Sequence, residues 1–362
     1  MSAIIQLDDK NISSEMVKLL LDRLDVNDDM LPRLLMTTSL TCFGKIWPLQ
    51  EACALGNIEL CNYLVGKIDE MPTKFNYQIT EQKVFPGFSL LSLLIIPFID
   101  PGSSNIVVID DEIKLINRII QSGCNKEIRD SSGKTLLHHA VAVRGINFVE
   151  RILAESFDNN ALDNDGYNLF HAYISGASII SQSDSEIDST IKLLLRYGVC
   201  INSLDNSGLT ALFRAIALSN SNAESIVTLM INNGAKPSQS VCRVSEVMQV
   251  CRYRSVALVE LFCQHGCSLH TIDYSYGMTA LLLATMGSNL PVIKYLVNTC
   301  GLDINTVDID NNTCLHIAAM NANPKQRDAT TKLLIRLGAN QNAINSFGFT
   351  YKRPYPCLPS RR

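Results

Sequence analysis

Residues 263–270, CQHGCSLH, place two cysteines and two histidines within eight positions. Two thiolates and two imidazoles can close a tetrahedral zinc shell. The spacing here is C-x-H-x-C-x2-H, which misses the usual finger spacings. A second candidate is Cys124 with His138 and His139, because a thiol beside an imidazole can act as a nucleophile–base pair. Neither group comes with an orienting acid or a further motif. No G-x-S-x-G, G-x4-G-K-[ST] or H-E-x-x-H sequence occurs in the chain. The loop GSSNIVVIDD, residues 102–111, has one Gly and no Lys, so it cannot cradle phosphates.

The elements that carry these residues recur along the chain. DSSGKTLLHHAV starts at Asp130, DNDGYNLFHAYI at Asp163, DNSGLTALFRAI at Asp205 and DIDNNTCLHIAA at Asp308; YSYGMTALLLAT near Asp273 carries one extra residue. They align as D-x-x-G-x-T-x-L-x-x-A. A second phrase follows each, as in IKLLLRYG, VELFCQHG and TKLLIRLG. The residues closing that phrase are Gly123, Ser156, Gly198, Gly234, Gly266, Gly301 and Gly338, with steps of 33, 42, 36, 32, 35 and 37. A fixed period of this size marks stacked repeats. Asp and Gly supply a turn. Thr135, Thr210, Thr279 and Thr313 stand where hydroxyls would cap a first helix. Ala140, Ala215, Ala284 and Ala318 allow that helix to approach its neighbours closely. The second phrase has helical apolar spacing, and its closing Gly fits a left-handed C-cap. One such unit cannot bury its apolar face alone, so units must stack.

These phrases resemble the ankyrin repeat family, G-x-T-P-L-H-x-A followed by V-x-x-L-L-x-x-G-A-x-x-N. LLHHA at 136–140, CLHIAA at 314–319, RLGANQN at 336–342 and WPLQEACALGNIELCNYLV at 47–65 carry the likeness, which covers about residues 42–344. The resemblance implies an all-α ankyrin-repeat solenoid of about eight helix-turn-helix units. Residues 1–41 are expected to form a helical N-terminal cap around SSEMVKLLLDRL at 13–24, and 345–362 an incomplete terminal repeat with a flexible tail. The family's Pro survives only at Pro48, and one unit is degenerate: QSVCRVSEVMQVCRYR, residues 239–254, lacks the turn-Thr-Leu phrase.

In this register the Cys-His cluster takes structural positions. Cys263 aligns with Leu195 and Ile335 on the expected buried side of the second helix, His265 with Tyr197 and Leu337, Cys267 with Val199 and Ala339, and His270 with Asn202 and Asn342. His138, His171 and His316 sit at the family's own His position, where the resemblance implies a hydrogen bond between neighbouring turns. No metal site, cofactor or catalytic residue is expected.

The resemblance also implies that partners touch turn tips and first helices along a concave face. The slot after the turn Gly reads Lys134, Tyr167, Leu209 and Met278, with Asn312 as the counterpart in the next unit; Tyr274, Tyr276 and Ile309 lie at nearby tips. Lys134, Tyr167, Leu209, Tyr276, Met278 and Asn312 are therefore the expected partner-binding residues, with Tyr167, Leu209, Tyr276 and Met278 as an apolar strip. The alternative is that these side chains fold back onto neighbouring turns. Two insertions, split as 68–86 and 98–110 and then 175–188, are further binding candidates, as is the tail YKRPYPCLPSRR at 351–362.

Composition narrows the function classes. The net charge is −4, from 31 basic and 35 acidic residues, and aromatic residues make 7%. A global field for nucleic acid and a rich set of stacking platforms are both lacking. The longest apolar run, LLSLLIIPF at 90–98, is about half the roughly 20 residues of a membrane span. The twelve cysteines include no CxxC pair and read as reduced, packed thiols. The expectation is a monomeric, cytoplasmic, non-enzymatic scaffold, adaptor or inhibitor that binds a protein. The alternatives are a substrate receptor of a ubiquitin ligase, for which no ligase-docking element is evident, and a bacterial or viral effector in a host cytoplasm.

Overall fold

A computed structural model describes residues 39–41, 44–46, 49, 52, 58–69, 106–121, 125–177, 182–237, 245–273 and 275–352. The N-terminal helix expected over 13–24, most of the 68–86 insertion, residues 98–105, the loop residues 178–181, Cys124, Tyr274 and residues 353–362 lie outside the described residues.

The chain divides into two compact units, residues 1–181 with 192–200 and residues 182–191 with 201–362. A short antiparallel hairpin comes first, β1 (Ser39–Thr41) paired with β2 (Gly44–Ile46), with Ser39 opposite Ile46. It falls at the end of the segment expected to be a helical cap. In the first unit α1 (Ile58–Asp69) packs with α2 (Ile106–Gln121) and α3 (Leu136–Val143) with α4 (Ile146–Leu153), followed by α5 (Leu169–Ala177); the residues of α6 (Asp184–Arg196) divide between the two units. The second unit continues with α7 (Ala211–Ile216) and α8 (Ala223–Asn232), α9 (Glu246–Tyr253) and α10 (Val256–Gln264), α11 (Ala280–Met286) and α12 (Leu290–Asn298), and α13 (Cys314–Ala319) and α14 (Pro324–Arg336). Residues 106–110, expected to belong to an insertion, form the first turns of α2.

The repeat arises from local chemistry that recurs in register. At the turns the Asp backbone N–H bonds the carbonyl four residues on, as from Asp130 to Lys134, Asp163 to Tyr167 and Asp205 to Leu209, or five on at Asp273, whose turn has one extra residue. The same Asp's Oδ1 accepts from two backbone amides; for Asp130 these are Ser132 (2.8 Å) and Lys134 (2.9 Å). Asp308 and Asn345 repeat the pattern. The turn glycines take positive φ, and at the position where the family phrase has lost its Gly, Asn311 adopts φ 56°. The cap residues behave alike: Ser156, Gly198, Gly234, Gly266, Gly301 and Gly338 all lie in the left-handed region. Asn and Gly tolerate that region, whereas for Ser it is strained.

Thr210 and Thr279 cap α7 and α11 by accepting from Phe213 N–H (3.1 Å) and Leu282 N–H (3.3 Å). Thr135 and Thr313 form capping boxes with His138 and His316. First helices then stack on one another. In the first unit α5 packs on α3; in the second, α7, α9, α11 and α13 form a row. Ala140, Ala215, Ala284 and Ala318 are buried in these contacts. The approach is closest at Gly176, where a methyl group would run into the Ala142 carbonyl, and at Gly287, where it would meet Arg252's. The degenerate unit still builds its first helix, α9, with Ser245 at the N-cap position. Its buried Glu246 accepts from the Thr210 hydroxyl at 3.2 Å, a link between neighbouring first helices made without the family's His.

Candidate partner-binding surface

The Cys-His cluster does not assemble a metal shell. His265 and His270 are exposed and Cys267 is buried. His265 Nδ1 donates to the Leu261 carbonyl at 3.0 Å, as a C-cap side chain would. Among the described residues no group of three or more His, Cys, Asp or Glu could hold a metal ion. Cys263 is half-buried, as are its counterparts Leu195 and Ile335. This corrects the expected register by one residue: Phe262, Leu194 and Leu334 are the buried members.

Of the three histidines at the family position, His138 and His316 bond to the next turn as expected, whereas His171 Nδ1 donates to Asn168 Oδ1 of its own turn (2.8 Å) and Asn168 Nδ2 reaches the Cys200 carbonyl (2.7 Å). His138 Nδ1 accepts from Thr135 N–H (3.2 Å), and its Nε2 donates to the Tyr167 carbonyl of the next turn (2.9 Å). A carbonyl can only accept, so His138 is the neutral Nε2–H tautomer. Burial, its largest influence, pushes His138 below the ordinary 6.5. His316 repeats the arrangement with Thr313 and the Phe349 carbonyl at 2.9 Å. His139 turns the other way, onto Asp130 Oδ2 at 2.9 Å. Burial opposes the Asp130 charge, and the bonds from His139, Lys134 and Ser132 outweigh it, holding the carboxyl below its usual range. The His138–His139 pair is thus engaged in holding a turn.

The six expected partner-binding residues separate. In the first unit, Lys134 and Tyr167 are half-buried, and Tyr167 stacks on His171 with centroids 5.3 Å apart. In the second unit, Leu209 is half-buried, Met278 is 5% exposed and Asn312 is 6% exposed. Met278 and Asn312 therefore do not belong to a contact strip. The physical reason is the turn itself. The slot after the turn Gly is where the hairpin closes, its carbonyl receiving the turn Asp N–H, as Asp273 bonds Met278 (2.9 Å) and Asp308 bonds Asn312 (3.1 Å). Residues there lean back onto the turn. Tyr276, at the tip, is 65% exposed, and Ile309 is 62% exposed. Tyr276 and Ile309 are adjacent, since the Ile309 N–H donates to the Tyr276 carbonyl at 3.1 Å.

A second column was not anticipated. Except at Asp130, which follows Arg129, the residue immediately before the turn Asp or Asn is an exposed aliphatic: Leu162 in the first unit and Leu204, Ile272, Val307 and Ile344 in the second. Phe347 adds an exposed ring at the last tip, and Tyr253, Met286 and Met320 are exposed at the ends of successive first helices in the second unit. Among the described residues, Leu162 is the single large exposed apolar side chain of the first unit, while ten such side chains belong to the second. The signal was present in the sequence as LD, LD, ID, VD and IN ahead of the turns.

Recurrent turns, caps and helices in register define a helical repeat protein. A family model described as ankyrin repeats (three copies) matches residues 247–345, so this part of the chain carries ankyrin repeats. It is similar to a putative ankyrin repeat protein of Acanthamoeba polyphaga mimivirus, 26% identical over 185 residues, which cover 48% of this chain and 30% of that protein. It is also similar to a putative ankyrin repeat protein of Fowlpox virus (strain NVSL), 31% identical over 126 residues, covering 35% of this chain and 27% of the other. The crystal structure of the human ASB11 ankyrin repeat domain covers 60% of this chain and 90% of its own at 20% identity, with a TM-score of 0.47. The chain spans less than a third of the length of either viral relative.

Proposed function

We propose that the protein is a non-enzymatic binding module that holds a protein partner on the turn tips of its second unit, centred on Tyr276 and Ile309. The observation that carries this reading is the ladder of exposed apolar side chains at successive tips, Ile272 with Tyr276, Val307 with Ile309 and Ile344 with Phe347. Such groups cost solubility when bare and repay it when a partner covers them. The frame histidines, aspartates and threonines are occupied in turns and caps, which supports a role without covalent chemistry. Among the described residues no helix is long and apolar enough to cross a membrane.

The test is partner capture by wild type beside a Tyr276→Ser/Ile309→Ser variant. Loss of the partner with an unchanged melting curve supports the reading. Retention of the partner places the contact elsewhere, and a lowered melting point shows that the tips are structural. A second reading, action inside a host cell, is favoured by the similarity to proteins of two viruses. It would require that the captured partner come from host rather than viral lysate.

A further inference from the structure

The charge of the chain is unevenly distributed. Residues 324–362 hold eight of the 31 Lys and Arg residues and one of the 35 Asp and Glu residues, so this end is strongly basic in a chain whose net charge is −4. The described part of this end builds a groove of about 460 Å3 in the second unit, lined by Ala319, Arg327, Asp328, Thr331, Lys332, Tyr351 and Lys352. Three cations face one carboxylate there. Arg327 and Asp328 approach only to 4.0 Å, with both side chains substantially solvent-exposed, so the pair neutralises the groove weakly. Lys352 lies over the Tyr351 ring at 5.8 Å, and Lys332 is exposed.

We infer that this groove between α13 and α14 takes an acidic peptide segment of a protein partner. The inference rests on the protein-binding reading above and names the chemistry of one partner element. Charge complementarity sets the sign. The ten residues after Lys352, RPYPCLPSRR, carry three further arginines and no Asp or Glu, so their side chains add positive charge. The groove's form sets the class. Its cations share the lining of one open groove with Ala319 and Tyr351, which suits a carboxylate side chain beside an apolar neighbour. A duplex or a lipid surface would instead call for cations spread along a flat or elongated track.

The test uses the full chain and fluorescence anisotropy with a short Glu-rich peptide carrying one Trp. Its Gln counterpart, a duplex DNA and phosphatidylserine vesicles serve as competing probes. The expected result is binding of the Glu peptide, about tenfold or more weaker for the Gln peptide. A comparable loss is expected in an Arg327→Gln/Lys332→Gln/Lys352→Gln variant, and binding should fall with added salt. Equal binding of the Glu and Gln peptides overturns the inference, as does an unchanged affinity in the triple variant or tighter binding of DNA or vesicles. The three side chains are partly or fully solvent-exposed, and an intact melting curve for the triple variant confirms that the fold is preserved. If the Glu peptide fails while Tyr276→Ser/Ile309→Ser still releases a captured partner, the groove inference falls and the tip reading stands. If both fail, the protein-binding reading falls with it.

Discussion

Replacing His138 with Ala tests whether the repeat frame is held by the bonds described. The imidazole joins three groups: Thr135 N–H at Nδ1, Thr135 Oγ1 2.9 Å from the same nitrogen, and the Tyr167 carbonyl at Nε2. Its removal deletes a cap worth about 1 kcal/mol. It also deletes an inter-turn hydrogen bond worth about 1 kcal/mol, and the carbonyl left without its partner sits in a half-buried turn. The ring is 1% exposed, and losing its burial adds about 1 kcal/mol. The expected destabilisation is about 3 kcal/mol by urea unfolding. His316→Ala should behave alike, since its bonds to Thr313 and Phe349 match. His265→Ala, at an exposed position, should change stability by less than about 0.5 kcal/mol. The pH dependence has a definite sign. With the folded His138 below 6.5, the unfolded chain binds the proton more readily. Its contribution to stability is therefore present above pH 6.5 and is lost as pH falls toward the folded value. His138→Ala removes that part of the slope. A variant within about 0.5 kcal/mol of wild type at pH 7.5, indistinguishable from His265→Ala, would refute the argument.

Three further outcomes follow from other parts of the frame. Gly176→Ala should cost more than about 2 kcal/mol in thermal unfolding, because the new methyl meets the Ala142 carbonyl, whereas Gly145→Ala, with nothing within 4 Å, should be nearly neutral. Ser156→Gly should stabilise by about 1 kcal/mol, since Ser156 holds φ 59° at a cap where the other described repeats place Gly; no gain in the denaturation midpoint would show that its context already compensates. The Glu112–Arg144 pair is buried, and burial pushes the Glu112 carboxyl up to about 7 despite Arg144. The folded carboxyl then holds its proton more tightly than the unfolded one, so its contribution to stability declines as pH rises from 4.5 to about 7. Glu112→Gln should flatten that decline, and an unchanged profile of melting point against pH would count against it.

The frame was legible because its chemistry is local and repeated. Asp130, Thr135 and Gly133 act within one turn, so their spacing in the sequence is their spacing in space. The cap at Ser156 was found by period alone, although Ser is a poor choice for positive φ. The surface was less legible. Tyr276 was expected at a tip and is exposed there, while Met278 and Asn312 were placed on the surface by alignment and are buried. The slot after the turn Gly looks variable because it tolerates many side chains. That tolerance reflects its role in closing the hairpin through its backbone, which a sequence column does not display. The exposed aliphatics one residue ahead of the turn Asp were readable in principle, but an apolar residue beside a polar turn is ordinarily taken as packing. The first helix of the degenerate unit was obscured because Ser245 stands at the N-cap in place of the phrase's Thr and Met248 stands where its His would be, while the link to the neighbouring first helix comes from Glu246.

The polar side chains that first suggest chemistry are the ones the repeat consumes. An imidazole that acts as a base needs a free nitrogen aimed at a substrate. His138 and His316 spend both nitrogens on backbone groups, and His139 is directed at a carboxylate that is itself closing a turn. The Asp205 carboxylate is committed as well: it binds two backbone amides through Oδ1 and the Arg214 guanidinium through Oδ2. What such a frame leaves uncommitted is surface, and here it divides by chemistry. Apolar groups collect at the tips around Tyr276 and Ile309, and cations collect around Arg327, Lys332 and Lys352 at the end of the same unit. A partner that used both would present an apolar face followed by an acidic stretch. Its affinity would fall with salt through the groove contacts and remain nearly salt-independent through the tips. Measuring the salt dependence of capture for wild type, the tip variant and the groove variant separates the two contributions: the groove variant should lose the salt dependence, and the tip variant should lose affinity while keeping it.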